Sequence, residues 1–176
     1  MFNKFPTIEG SKVILKTFDL SHIDDEYISW LNDPIVVQYS NQRFRTHTRD
    51  SCVEYFNSFD GTNNYFNLIV SKLDGKAIGT MSIYVAEQHQ TADVGIMIGA
   101  RRAWGVGHGL DAWNRTLQWL FAELKIRKVT AGTLDCNSAM IKVMEKSGMQ
   151  LEARRPKQEL HNGVPHDLVY YGIFCE

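Results

Sequence analysis

One stretch, residues 91 to 124, constrains the fold more than any other. It begins with an alternating apolar run, TADVGIMIG, in which Val94, Ile96 and Ile98 line one face and Asp93, Gly95, Met97 and Gly99 the other. Three glycines within five positions follow, in RRAWGVGHG at 101–109. Leu110, Trp113, Leu117, Leu120, Phe121 and Leu124 then recur at three- and four-residue steps. Period two, glycine turn, period 3.6 predicts a strand that turns sharply into a long amphipathic helix. Two glycines on one strand face predict either a bulge or room for something to lie against it.

The rest of the chain supplies the partners. SKVILKTF reads as a first strand, and DLSHIDDEYISWLNDP as a helix with Ser21 at its N-cap, broken near Asp33 by Pro34. A second short helix is predicted around 49–59, from Cys52, Val53, Phe56 and Phe59. NYFNLIV and AIGTMSIYV form a hairpin about the Asp-Gly step at 74–75. RKVTAGTL is a further strand, and a helix runs from Asn137 to a left-handed stop at Gly148. Two strands close the chain around the Asn-Gly turn at 162–163. This order predicts an α/β (α+β) single domain spanning 1–176, with a mixed sheet of about seven strands and four or so helices.

Composition narrows the function classes. Of 176 residues, 44% are hydrophobic and 22% charged, and the net charge of −1 offers no general attraction to nucleic acid or an anionic membrane. Cys52, Cys136 and Cys175 are odd in number and far apart, which indicates neither a disulfide framework nor a metal site. MFNKFPTIEG lacks the apolar core of a signal peptide, and no apolar run approaches the ~20 residues of a membrane span. A cytoplasmic chain is expected, with no nucleic-acid, membrane or metal partner.

Strand, glycine turn and helix together present unpaired backbone N–H groups to an anion. Gly105, Gly107 and Gly109 remove the Cβ atoms that would hold a phosphate away, and the helix dipole favours its charge. The alternative is a turn that needs positive φ and holds no ligand. A dinucleotide fold would want G-x-G-x-x-G early in the chain, and a P-loop a Lys-Ser or Lys-Thr step after the glycines; neither occurs here.

Arg102-Ala103-Trp104-Gly105-Val106-Gly107 matches the R/Q-x-x-G-x-G/A signature of the GNAT acetyltransferase superfamily. Four stations, WLNDPIVVQY, AWGVGHG, Asn137 with VMEKSGM, and NGVPHDLVYYGIF, resemble those of its RimJ/RimL branch in order and spacing. The resemblance covers nearly the whole chain. It implies a sheet that splays after its fourth main strand and an acetyl-coenzyme A co-substrate in the gap. It further implies transfer of acetyl to a primary amine by direct attack on the thioester. The acceptor would be a protein N-terminal amine or a small molecule such as a nucleotide-linked amino sugar. A non-catalytic acetyl-coenzyme A sensor is the alternative, and a homodimer is left open.

Carried over by position, the backbone of Met97, Ile98 and Gly99 would pair with the pantetheine amides. The segment Arg102, Trp104, Gly105, Val106, Gly107, His108, Gly109 and Leu110 would hold the pyrophosphate. Asn137 and Lys142 would meet the cofactor, and Lys146 is considered with them. His108 is open between a cofactor contact and a position facing water, the second being preferred.

Asp93 is the candidate general base, ahead of Glu87 and Asp24. The general acid is unassigned. Met140 and Met144 occupy both positions where relatives carry a donor, and a thioether cannot give a proton. Tyr170, Tyr171, Ser138 and Cys136 are the substitutes considered. Trp30, Asn32, Asp33, Tyr39, Arg43, Arg45 and Asp167 are expected around the acceptor, with NQRFRTHTR either a cationic lip for an anionic acceptor or a solvated loop.

Overall fold

A computed structural model describes residues 4–175. Eight strands form one sheet in the order β1-β2-β3-β4-β5-β6-β8-β7. They are β1 (Ile8–Glu9), β2 (Val13–Thr17), β3 (Tyr65–Ser71), β4 (Ala77–Ala86), β5 (Thr91–Ile98), β6 (Lys128–Leu134), β7 (Gln150–His161) and β8 (Val164–Phe174). The strand beyond the seven legible in the sequence is β1, two residues paired with Leu15 and Ile14 of β2. Among the described residues, four α-helices accompany the sheet: α1 (Asp25–Asn32), α2 (Arg49–Asn57), α3 (His108–Ala122) and α4 (Ser138–Lys146). No helix among the described residues is long and apolar enough to cross a membrane.

Local chemistry sets the boundaries. Asp24, not Ser21, caps α1, its carboxylate accepting from the Tyr27 N–H at 2.8 Å. Ser21 lies in a 3-10 turn, Leu20–His22, that Asp19 caps. Thr48 caps α2 and Asn137 caps α4. Asn162 and Gly163 both take positive φ, 50° and 77°, as a tight two-residue hairpin requires. In α3 the stripe holds through Trp113, Leu117 and Leu120, which pack in the core with Ile69, Ile83 and Val94.

The feature that creates a site is a failure of pairing. Strands β2 to β5 form an antiparallel meander, and β5 then pairs β6 in parallel at Thr91↔Lys128, Ala92↔Val129 and Asp93↔Thr130. Beyond Asp93 the pairing ends while both strands run on, β5 to Ile98 and β6 to Leu134. β6 stays tied to β8 along its whole length. The sheet therefore opens into a V whose inner edges are unpaired backbone.

Candidate active site

A cleft of about 1270 Å³ occupies this V and continues under α1 and α2. Its walls at one end are Trp104, Gly105, Gly107, His108, Gly109 and Leu110, the turn into α3. Gly105 and Gly107 take φ of +75° and +91°, a region that L side chains rarely adopt. Gly107 is the N-cap of α3, so the bare amides at the helix start face the cleft. Asp111 holds this corner in place. Its carboxylate accepts from the Ser11 N–H and hydroxyl at 3.1 Å each, the Lys12 N–H at 2.7 Å and the Val13 N–H at 3.1 Å. Lys12 adds a bond from Nζ to the Val106 carbonyl, at 2.8 Å.

Two members of the signature have other partners. Arg102 does not line the cleft: it pairs with Glu26 at 2.9 Å and donates to the Ala77 carbonyl at 3.2 Å, latching α1 and β4 to the turn. Val106 gives its carbonyl to Lys12 and exposes its side chain. The water-facing reading of His108 is also corrected. The ring is buried, with Nδ1 3.2 Å from the Ala103 carbonyl. A carbonyl only accepts, so Nδ1 carries a hydrogen.

Along β5 the unpaired edge follows from alternation. The carbonyls of Ala92 and Ile98 turn away from β4: Thr130 Oγ1 approaches the first at 3.5 Å, and Trp104 Nε1 donates to the second at 2.7 Å. Val94 and Ile96, at the same parity, present their backbone to the gap with them. Met97 has the opposite parity. Its carbonyl faces β4, where a Cβ on Gly79 would overlap it, so the open edge belongs to Val94, Ile96 and the N–H of Ile98, whose carbonyl Trp104 already occupies. Gly99 is required for packing, since a Cβ there would overlap the Trp30 ring. On the opposite wall, Asn137 lines the cleft and is held by its Nδ2 bond to Thr133 Oγ1 at 2.9 Å. Lys142 and Lys146 are exposed and contribute to the same wall.

The structure redistributes the expected acceptor residues. Tyr39 and Arg45 line the cleft. Trp30 does not; it is a core residue packed on Gly99 and edge-on to Tyr27. Asn32 clamps the backbone of His47, donating to its carbonyl at 2.8 Å and accepting from its N–H at 2.9 Å. Asp33 caps a turn through the Ile35 N–H. Arg43 donates to the Ser40 and Leu160 carbonyls, and Arg49 to the Ile23 carbonyl, so two of the three loop arginines are structural latches. Asp167 belongs to an ion pair with Arg154 at 2.6 Å. Of the two methionines, Met144 is fully buried core and Met140 lines the cleft. Ser138 lines it too, whereas Tyr171 is buried against Glu145.

Asp93 stands just outside the walls, at the last paired step before the V opens. Its Oδ2 accepts from Thr130 Oγ1 at 2.7 Å. Burial pushes the carboxyl pKa up, and the Thr130 bond pulls it partway back. Its cross-strand partner on the same face is Tyr84, whose hydroxyl lies 2.9 Å from that of Tyr55. Tyr55 and Ser82 do line the cleft. Burial holds the Tyr55 hydroxyl protonated across the ordinary pH range. The hydroxyls of Ser82, Tyr55 and Tyr84 thus form a chain that begins at the cleft, while the Asp93 carboxylate, on the same sheet face, bonds Thr130. Tyr55 and Ser82 are cleft residues that sequence reasoning missed, because α2 and the outward positions of β4 carry no motif; His47 lies in the arginine-rich stretch at 41–49, read there for its charge alone.

Comparison with known proteins agrees with this geometry. The family model described as "Acetyltransferase (GNAT) domain" matches residues 12–150. The chain belongs to the GNAT acetyltransferases and is an acyltransferase. It is 26% identical over 172 residues, 95% of each chain, to an uncharacterized N-acetyltransferase, p20, of Bacillus licheniformis. Its fold is similar to that of a spermidine N-acetyltransferase from Vibrio cholerae in complex with CoA and spermine, at TM-score 0.83 and 19% identity over 94% of this chain and 96% of that one. A GNAT-family acetyltransferase from Bacillus anthracis gives 0.81 and 20% over 96% and 98%.

Proposed function

We propose that the protein is an acetyl-coenzyme A-dependent N-acetyltransferase of the RimJ/RimL-like kind, acting on a primary amine. The observation that carries this reading is the unpaired V between β5 and β6, which meets a glycine turn at the start of α3. Acetyl-coenzyme A fits it. The turn offers bare amides to a pyrophosphate, the β5 edge offers alternating backbone groups to amides, and Lys142 and Lys146 offer charge. When bound it supplies the acetyl group as a thioester.

The residues of the chain then divide the work. The N–H groups of the Val94–Ile98 edge stabilise the carbonyl oxygen as it gains charge. Ser82, Tyr55 and Tyr84 relay the acceptor's proton, and Asp93, the carboxylate on the same sheet face, takes it up through water. Ser138 is the hydroxyl of the α4 wall placed to assist thiol departure, a modest demand since a thiol has pKa ~8.5. The acceptor is a protein α-amine or a small-molecule amine. A diphosphate-bearing acceptor loses support from the loop arginines, because Arg43 and Arg49 are committed to backbone carbonyls.

The test follows free-thiol release with acetyl-coenzyme A across N-terminal peptides, polyamines, aminoglycosides and amino-sugar nucleotides. Turnover with at least one amine class is expected, and binding without release across the panel would favour a sensor instead. Base demand then sorts the acceptor. An α-amine of pKa ~8 is roughly a tenth neutral at pH 7, but a lysine-like amine of ~10.4 is about 0.04% neutral. Asp93→Asn is expected to slow a high-pKa acceptor about tenfold at pH 7, below the ~10²–10⁴ typical of a base in direct contact. The deficit should shrink as pH rises. An unchanged rate and pH profile would remove Asp93 from the mechanism.

A further inference from the structure

A second constellation lies where β6 turns into α4. Asp135, Cys136 and His166 each bring one donor atom, and all three atoms fall within 4.8 Å of one another at half-buried positions. Leu134 and Asn137, which bracket the turn in sequence, are cleft residues; this trio is not among the cleft walls. We propose that Asp135, Cys136 and His166 bind a zinc-type divalent ion that ties the β6–α4 turn to β8.

The donor set selects the ion. One sulfur, one imidazole nitrogen and one carboxylate oxygen suit zinc or cobalt, whereas magnesium and calcium want oxygen alone. Three protein ligands leave a fourth tetrahedral position for water. The adjustment needed is small. His166 Nδ1 and Asp135 Oδ1 stand 2.8 Å apart as a hydrogen-bonded pair. Around a tetrahedral ion with bonds of ~2.0–2.1 Å, such atoms sit roughly 3.3 Å apart. The pair opens by about half an ångström and the Cys136 side chain swings in.

The surroundings already hold the carboxylate in place. Asp135 uses Oδ1 toward His166, while its Oδ2 faces Arg154 at 3.5 Å. Arg154 pairs more closely with Asp167, at 2.6 Å, and that carboxylate offsets part of its repulsion of a cation at Oδ1. The backbone fixes the same turn, with Asp135 N–H donating to the Asp167 carbonyl at 2.9 Å. An ion takes Cys136 as the thiolate, so binding releases the thiol proton to solvent. The sequence hides this set because thirty residues separate Cys136 from His166, far outside any linear metal motif.

The experiment titrates the metal-free full chain with Co(II), then with Zn(II). A near-ultraviolet thiolate-to-cobalt band saturating at one ion per chain is expected, with Zn(II) erasing it and raising the melting temperature in proportion to the logarithm of its concentration. Cys136→Ser should abolish the band, and His166→Gln should weaken binding about tenfold or more, each with an unchanged far-ultraviolet circular dichroism spectrum. Absence of the band, or its survival in Cys136→Ser through Cys52 or Cys175, would overturn the site. Neither result depends on acetyl transfer, so this site and the cleft stand or fall separately.

Discussion

Gly107→Val is expected to bind acetyl-coenzyme A about a hundredfold more weakly than the wild type in a calorimetric titration. Two losses combine. Valine at φ +91° is strained, so the turn shifts to relieve ~1–2 kcal/mol or more. The shift withdraws amides that each contribute ~1.5–3 kcal/mol in bonding to a charged oxygen, and a hundredfold, about 2.7 kcal/mol, is one such bond at the upper end of that range or two at the lower. Gly61 supplies the control. It takes φ +69° in the loop after α2, with nothing within 4 Å of a Cβ built there. Gly61→Val should carry a comparable stability cost with full affinity. Equal affinity losses in both variants would reduce the Gly107 effect to general destabilisation.

Asp111→Ala is expected to cost about 2 kcal/mol of stability, lowering the melting temperature by roughly 4–8 °C for a chain of this size. The carboxylate accepts four hydrogen bonds from the β1–β2 turn, and its removal leaves the N–H of fully buried Val13 without that partner. Burial by itself would raise the carboxyl pKa, but the amides of Lys12, Ser11 and Val13 outweigh it, and the net direction is down. A lowered folded-state value gives the sign. The stabilisation is whole above the unfolded value of ~3.9 and is lost as pH falls through the lower folded one. Chemical denaturation of wild type and variant should therefore differ at pH 7 and converge in acid. Asp111→Asn, still able to accept through one oxygen, should fall between them. A constant gap at all pH values would show that packing, not charge, holds the corner.

What the sequence made legible follows from how each feature is encoded. The meander, the α3 stripe and the hairpin about Asn162 are written in local period and turn chemistry, and all formed as read. The cleft corner was legible because glycine at alternate positions has few uses. Side-chain commitments were not. Arg102 answers to Glu26, seventy-six positions away, and Arg43 to the Leu160 carbonyl, one hundred and seventeen away. The neighbours of Trp30 in the chain suggest a recognition residue, but its ring is placed by Gly99 across the fold. Asp111 carries no motif, and its four donors lie about a hundred positions upstream. Polar groups choose partners in space, and a single sequence records only their distance along the chain.

Consider finally a ladder whose rungs stop after the third. Ala131 to Leu134 and Val94 to Ile98 would be natural neighbours in a closed sheet, yet they stand apart with their hydrogen-bonding capacity unspent toward each other. A guest with amides at a strand-like interval becomes, in effect, a ninth strand. On the proposed function, occupancy and folding stability would then be two readings of one equilibrium.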